Sequence, residues 1–177
     1  MYWFGCAKQS WFVAKGWIEP LTDLWKRQNL DEVFNRSAKS AVATREQIYG
    51  LPISYYRWGV YYRKSIFRQY NLQPSRTWKE FIEVGERLKA AGIAPGALGP
   101  ADRWLVAGWF DYLDPRVNGL AFHQSPMDGK VAYTDPRVKE VFRYWRELVD
   151  GNFFLESHAK LDWLGALPYL YRGRAWC

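Results

Sequence analysis

The chain has little histidine and little cysteine, two of each in 177 residues. The histidines are His123 and His158, and neither stands in a Cys/His cluster with metal-ligand spacing. Cys6 and Cys177 lie near opposite ends, too few for a disulfide framework and uninformative about redox compartment. The sequence contains no Gly-rich phosphate loop, no G-x-S-x-G elbow and no H-E-x-x-H helix. No apolar run approaches the roughly 18 residues that a membrane-spanning helix needs. The first residues lack a basic segment followed by an apolar one, so no signal peptide is expected among them. No internal repeat or low-complexity tract appears. These absences argue against a metal, cofactor or phosphate-transfer centre, and no catalytic residue is assigned.

Aromatic rings are abundant instead: eleven Trp, twelve Tyr and ten Phe make 19% of the chain. Most of them are expected in the core. A few are expected to face a ligand whose surface is flat and partly apolar. The formal net charge of +7 would permit contact with nucleic acid. However, the densest basic stretch is only Arg57, Arg63, Lys64 and Arg68, with aromatics between. A dispersed basic surface is the expectation, and no nucleic-acid partner.

Along the chain, strand-like and helix-like segments alternate, which argues for an α/β architecture. Short helices are expected around residues 19–25, from Asp31 as a cap carrying Val33 and Phe34, and over 64–70. Residues 37–46 are small and polar and read as a loop. Residues 53–62, with Tyr and Trp near alternate positions, read as an extended strand. Thr77-Trp78-Lys79-Glu80 is a capping box, and Gly92 closes the helix it opens. Residues 93–98 read as a short strand, 102–113 as a helix, and Asp128-Gly129 as the turn of a hairpin-like segment. Asp135-Pro136 starts a helix with Val138, Val141, Phe142, Trp145, Leu148 and Val149 on one apolar stripe. Trp78, Phe81, Phe142 and Trp145 are expected to be buried. A last helix is expected over 162–171, with Pro168 inside it. Both ends read as cut in mid-element: a strand from Trp3, and a turn at Gly173 that opens a new strand.

The order of motifs resembles the family 1 extracellular solute-binding proteins of ABC importers. It starts with Gly16-Trp17-Ile18-Glu19-Pro20-Leu21 and Tyr49-Gly50-Leu51-Pro52. Tyr61-Tyr62-Arg63-Lys64-Ser65-Ile66-Phe67 follows, then the Pro74…Thr77-Trp78-Lys79-Glu80-Phe81 helix start. Ala91-Gly92-Ile93-Ala94-Pro95, Trp104, Asp128-Gly129-Lys130, Thr134-Asp135, the Trp145 helix and Gly173-Arg174-Ala175 complete the series. Arg63 departs from the Asn usual after the tyrosines, and Trp176-Cys177 departs from the small residues and Met usual there.

The resemblance implies an incomplete α/β periplasmic binding protein-like fold of two lobes. Residues 1–54 would be a remnant of the N-terminal lobe and residues 55–177 a partial C-terminal lobe, with a hinge strand near Ser54 to Tyr56. It implies a carbohydrate ligand in an interlobe cleft, delivery to an ABC transporter permease, and a periplasmic or extracellular, membrane-anchored location. It implies binding without chemistry, and no cofactor. A fragment of a glycan-processing enzyme is the rival from another class.

Site residues follow from position. Trp3 and Tyr56 stand where sugar-binding members present cleft side chains. Trp58 shares the strand face of Tyr56, since side chains alternate with period two. Trp104 opens a helix beyond the carboxyl end of the 93–98 strand, where ligands meet α/β lobes. Asp102 is the expected acceptor for ligand hydroxyls. Aromatic faces meet the C–H face of a pyranose while polar groups bind its rim.

Overall fold

The structure, a computed structural model, describes residues 9–54, 58–155 and 158–177, with the side chains of Asp102 and His158 outside the description. The chain divides between Arg57 and Trp58 into two compact units.

Among its described residues, the first unit is built on three six-residue helices and one hairpin. Helices α1 (Gln9–Ala14), α2 (Thr22–Arg27) and α3 (Arg36–Ala41) precede strands β1 (Ala43–Thr44) and β2 (Gln47–Ile48). β1 and β2 pair antiparallel, Ala43 opposite Ile48 and Thr44 opposite Gln47. The small core is Trp25, Val42 and Ile48, with Leu30 and Phe34 against it. Two expectations fail here. Residues 37–46 are not a loop: Asn35 caps α3 by accepting the Ala38 amide at 2.9 Å, and the hairpin follows directly. Small residues suited that helix better than their polarity suggested. Asp31 caps nothing. Its carboxylate accepts instead from Trp25 Nε1 at 3.1 Å and from Lys39 Nζ at 2.6 Å, which pins α3 over the buried indole.

The second unit begins with α4 (Lys64–Gln69) and α5 (Trp78–Ala90). Half of the capping box forms. Thr77 Oγ1 accepts the Glu80 amide at 3.2 Å, but Glu80 Oε2 takes the Arg76 amide at 2.7 Å rather than that of Thr77. Then come α6 (Trp104–Val117), α7 (Leu120–Met127), α8 (Pro136–Asp150) and α9 (Trp163–Tyr171). Asp135 caps α8 through the Arg137 amide, and Asp162 caps α9 through the Gly165 amide.

The sheet of this unit is minimal. Residue 94 bridges Ala175 and residue 96 bridges Phe154, both in parallel. The Ala97 amide donates to the Cys177 carbonyl at 2.7 Å, so the segment after Gly173 is strand-like as expected. Residues 53–62 form no ladder among the described residues, and Tyr55 and Tyr56, where the hinge is expected, lie outside them, as do Trp3 and Gly5. The 128–129 turn closes no hairpin. It ends α7, with Gly129 at φ 72°.

The main core gathers Ile66, Phe67, Phe81, Val84, Leu88, Leu148, Phe153, Phe154 and Trp176. A second core packs α6 on α8 through Phe110, Leu113, Val138 and Val141. Trp78 is half-buried, bordering both cores, and its Nε1 donates to Glu147 at 2.9 Å. Phe81 is buried as expected, and Trp145 is half-buried. Phe142 is not buried. It lies on the flank of the α8 stripe, 41% exposed, stacked on Phe110 at 5.4 Å.

Candidate functional site

Two of the five expected site residues meet on the second unit. The rings of Trp58 and Trp104 lie 6.2 Å apart with planes tilted by 52°, and they remain 40% and 48% exposed. Together they present an aromatic corner to solvent. Trp104 is the first residue of α6, preceded by Arg103 in the left-handed region at φ 56°. That approach is anchored from behind. The Ala101 amide donates to Leu161 at 3.1 Å, and a Cβ on Gly99 would stand 2.2 Å from the Asp162 carbonyl oxygen. The backbone of Asp102 belongs to the short 3-10 turn Pro100–Asp102 just before Trp104. Trp3 and Tyr56 lie outside the described residues.

Trp58 is anchored on the same helix: its Nε1 donates to the Gly108 carbonyl at 2.8 Å. Such a corner fits a ligand with an apolar ring face, because a π face attracts polarised C–H groups and sheds water.

Two other features were not anticipated as site elements. A groove of about 710 Å³ runs along the second unit, with Tyr62, Trp78, Trp109, Tyr112 and Arg116 among its lining residues. The Arg116 guanidinium lies 3.5 Å over the Tyr112 ring. The spacing 109, 112 and 116 on one helical face was the available signal.

The other is a buried carboxylate. Asp114 is fully buried, accepts from Asn118 Nδ2 at 2.7 Å and faces His123 Nδ1 at 2.9 Å. Asn118 also donates to the Arg137 carbonyl at 3.1 Å, so the cluster ties α6, α7 and α8 together. Asp111 stands 3.7 Å from His123 Nε2. Burial raises its carboxyl above the ordinary range, an effect reduced by His123 and reinforced by Asp114. Among the described residues, no group of three or more His, Cys, Asp or Glu is placed to hold a metal ion.

The model of the bacterial extracellular solute-binding protein family matches residues 1–175, and the chain belongs to that family. It is 26% identical over 167 residues to an uncharacterized ABC transporter extracellular-binding protein of Pyrococcus horikoshii, a match covering 93% of this chain and 37% of that one. Among solved structures it resembles the bacterial solute receptor AcbH, described as preferring β-D-galactopyranose exclusively. The TM-score is 0.83 at 31% identity, over 98% of this chain and 44% of that one. It also resembles a chitin oligosaccharide binding protein, with a TM-score of 0.86 at 26% identity and the same coverage. The fold is thus the α/β periplasmic binding protein-like one, in part, and the chain spans less than half the length of these relatives.

Proposed function

We propose that this chain is part of a receptor that binds a carbohydrate and delivers it, chemically unchanged, to the membrane permease of an ABC importer. The observation that carries the reading is the half-exposed Trp58–Trp104 corner. Aromatic planes held at a surface suit the C–H faces of pyranoses, and both receptors named above are described as taking sugars. On this reading residues 1–54 are the remnant of an N-terminal lobe and residues 55–177 part of a C-terminal lobe. Trp3, Tyr56 and Asp102 belong to the same site, and the receptor works in the periplasm or outside the cell, anchored to the membrane.

The test is calorimetric titration of the full-length receptor with D-galactose and chitin oligosaccharides, followed also by Trp fluorescence. Trp104→Ala should weaken binding by about 1–3 kcal/mol, the range of buried aromatic anchors, and leave the melting temperature nearly unchanged. Undiminished affinity with a collapsed melt would remove Trp104 from the site.

A further inference from the structure

Gly108 occupies an unusual place for a glycine: the interior of α6, where alanine is the better helix former. The reason lies across the helix. A Cβ on Gly108 would stand 2.2 Å from Cζ2 of Trp58 and 3.1 Å from both Cε2 and Cη2. No real side chain fits under that indole. The same residue supplies the acceptor for the indole N–H, at 2.8 Å. Gly108 therefore offers Trp58 both a recess and a hydrogen bond, and two points of attachment fix a planar ring. Trp104 lies one helical turn before Gly108, on the same face. The indole seated on Gly108 is thereby delivered beside Trp104, at 6.2 Å and 52°.

We infer that Gly108 is a positioning residue of the binding site, acting through Trp58 and not by touching the ligand. A ring that wandered from this seat would have to be reordered at each binding event, at an entropic cost to affinity. A seated ring is ready before the ligand arrives. The inference rests on the reading that the Trp58–Trp104 corner contacts sugar.

The experiment uses Gly108→Ala, Trp58→Phe, Trp58→Ala and Trp104→Ala in the full-length receptor. Two indoles this close couple their transitions, and the circular dichroism difference between wild type and Trp58→Phe reports that coupling. Gly108→Ala should abolish this signal. It should weaken binding of D-galactose or chitin oligosaccharide, whichever the wild type takes, about tenfold. It should leave the melting temperature unchanged or higher, as a better helix former does when a half-exposed ring can swing away.

In the Trp58→Ala background, Gly108→Ala should have no further effect on affinity, because the two act as one unit. A coupling signal that survives in Gly108→Ala overturns the inference. If Gly108→Ala alone fails to fold, the Trp58→Ala double variant should fold again, and its failure to do so also overturns it. If Trp104→Ala and Trp58→Ala bind sugar like wild type, the carbohydrate reading of this corner falls, while the coupling signal still decides whether Gly108 seats Trp58.

Discussion

Gly85 and Phe153 meet without room for a single added carbon: a Cβ on Gly85 would lie 2.2 Å from Cζ of the Phe153 ring. Gly85 is buried in the middle of α5, and Phe153 is 3% exposed in the main core. Helix propensity and packing therefore oppose each other here. Propensity favours Gly85→Ala by about 1 kcal/mol, whereas overpacking a dense core costs roughly 1–3 kcal/mol. Phe153 cannot yield as Trp58 can, so Gly85→Ala should lower stability by a net of up to about 2 kcal/mol. A urea midpoint that rises instead would show that the Phe153 ring is free to move.

The stripe of α8 gives a contrast within one helix. Leu148 is fully buried and Phe142 is 41% exposed. Leu148→Ala should cost about 2–5 kcal/mol, transfer plus cavity. Phe142→Ala should cost about 1 kcal/mol, the centre of ordinary substitutions. Equal losses in chemical unfolding would mean that the apolar face of α8 is wider than its burial indicates.

Asp111 should leave a signature in the pH dependence of stability. Burial raises its carboxyl above the ordinary value of about 3.9. Between that ordinary value and the raised one, the folded chain holds more proton than the unfolded chain. The contribution of Asp111 to stability is therefore greatest in acid and declines as pH rises through this window. Asp31, Asp135 and Glu140 are lowered by hydrogen bonds from Lys39, Arg137 and Arg143, and they slope the opposite way. The comparison to make is thus wild type against Asp111→Asn, by unfolding across the acid range. The variant should lack the declining component, and parallel curves would refute it.

Cys177 should be inert while the chain is folded. Its Sγ donates to the Pro95 carbonyl at 2.9 Å, and burial pushes the thiol up to about 12. Only the thiolate attacks alkylating reagents. In a Cys6→Ser variant, iodoacetamide should label Cys177 slowly in buffer and rapidly in urea, read by mass spectrometry. Fast labelling in buffer would contradict the raised thiol.

Local signals were legible at several helix starts, though not at α3, whose Asn35 cap was missed. Thr77, Asp135 and Asp162 each cap a helix through an amide two or three residues on. What stayed hidden depends on distant partners. The role of Arg63, an odd residue beside its family motif, appears only with α9 in view. Its Nη1 donates to the carbonyls of Leu170 and Tyr171 at the end of that helix. Residues 93–98 looked like a strand, but their partners near 154 and 175 could not be read from them. Of the three tryptophans expected on the site, Trp58 and Trp104 do meet, yet nothing in the sequence marked Gly108 as the residue that seats Trp58.

The parallel bridges also constrain the order of events during synthesis. Residues 94 and 96 cannot form these bridges until Phe154 and Ala175 have left the ribosome. Closing such long loops is entropically late, whereas α6 and α8 are nearer in sequence and meet through Phe110, Leu113, Val138 and Val141. The helical layer of the second unit should therefore assemble first, with the short sheet added as a clasp. The main core, which needs Phe153, Phe154 and Trp176, would stay open to chaperones until those residues have left the ribosome.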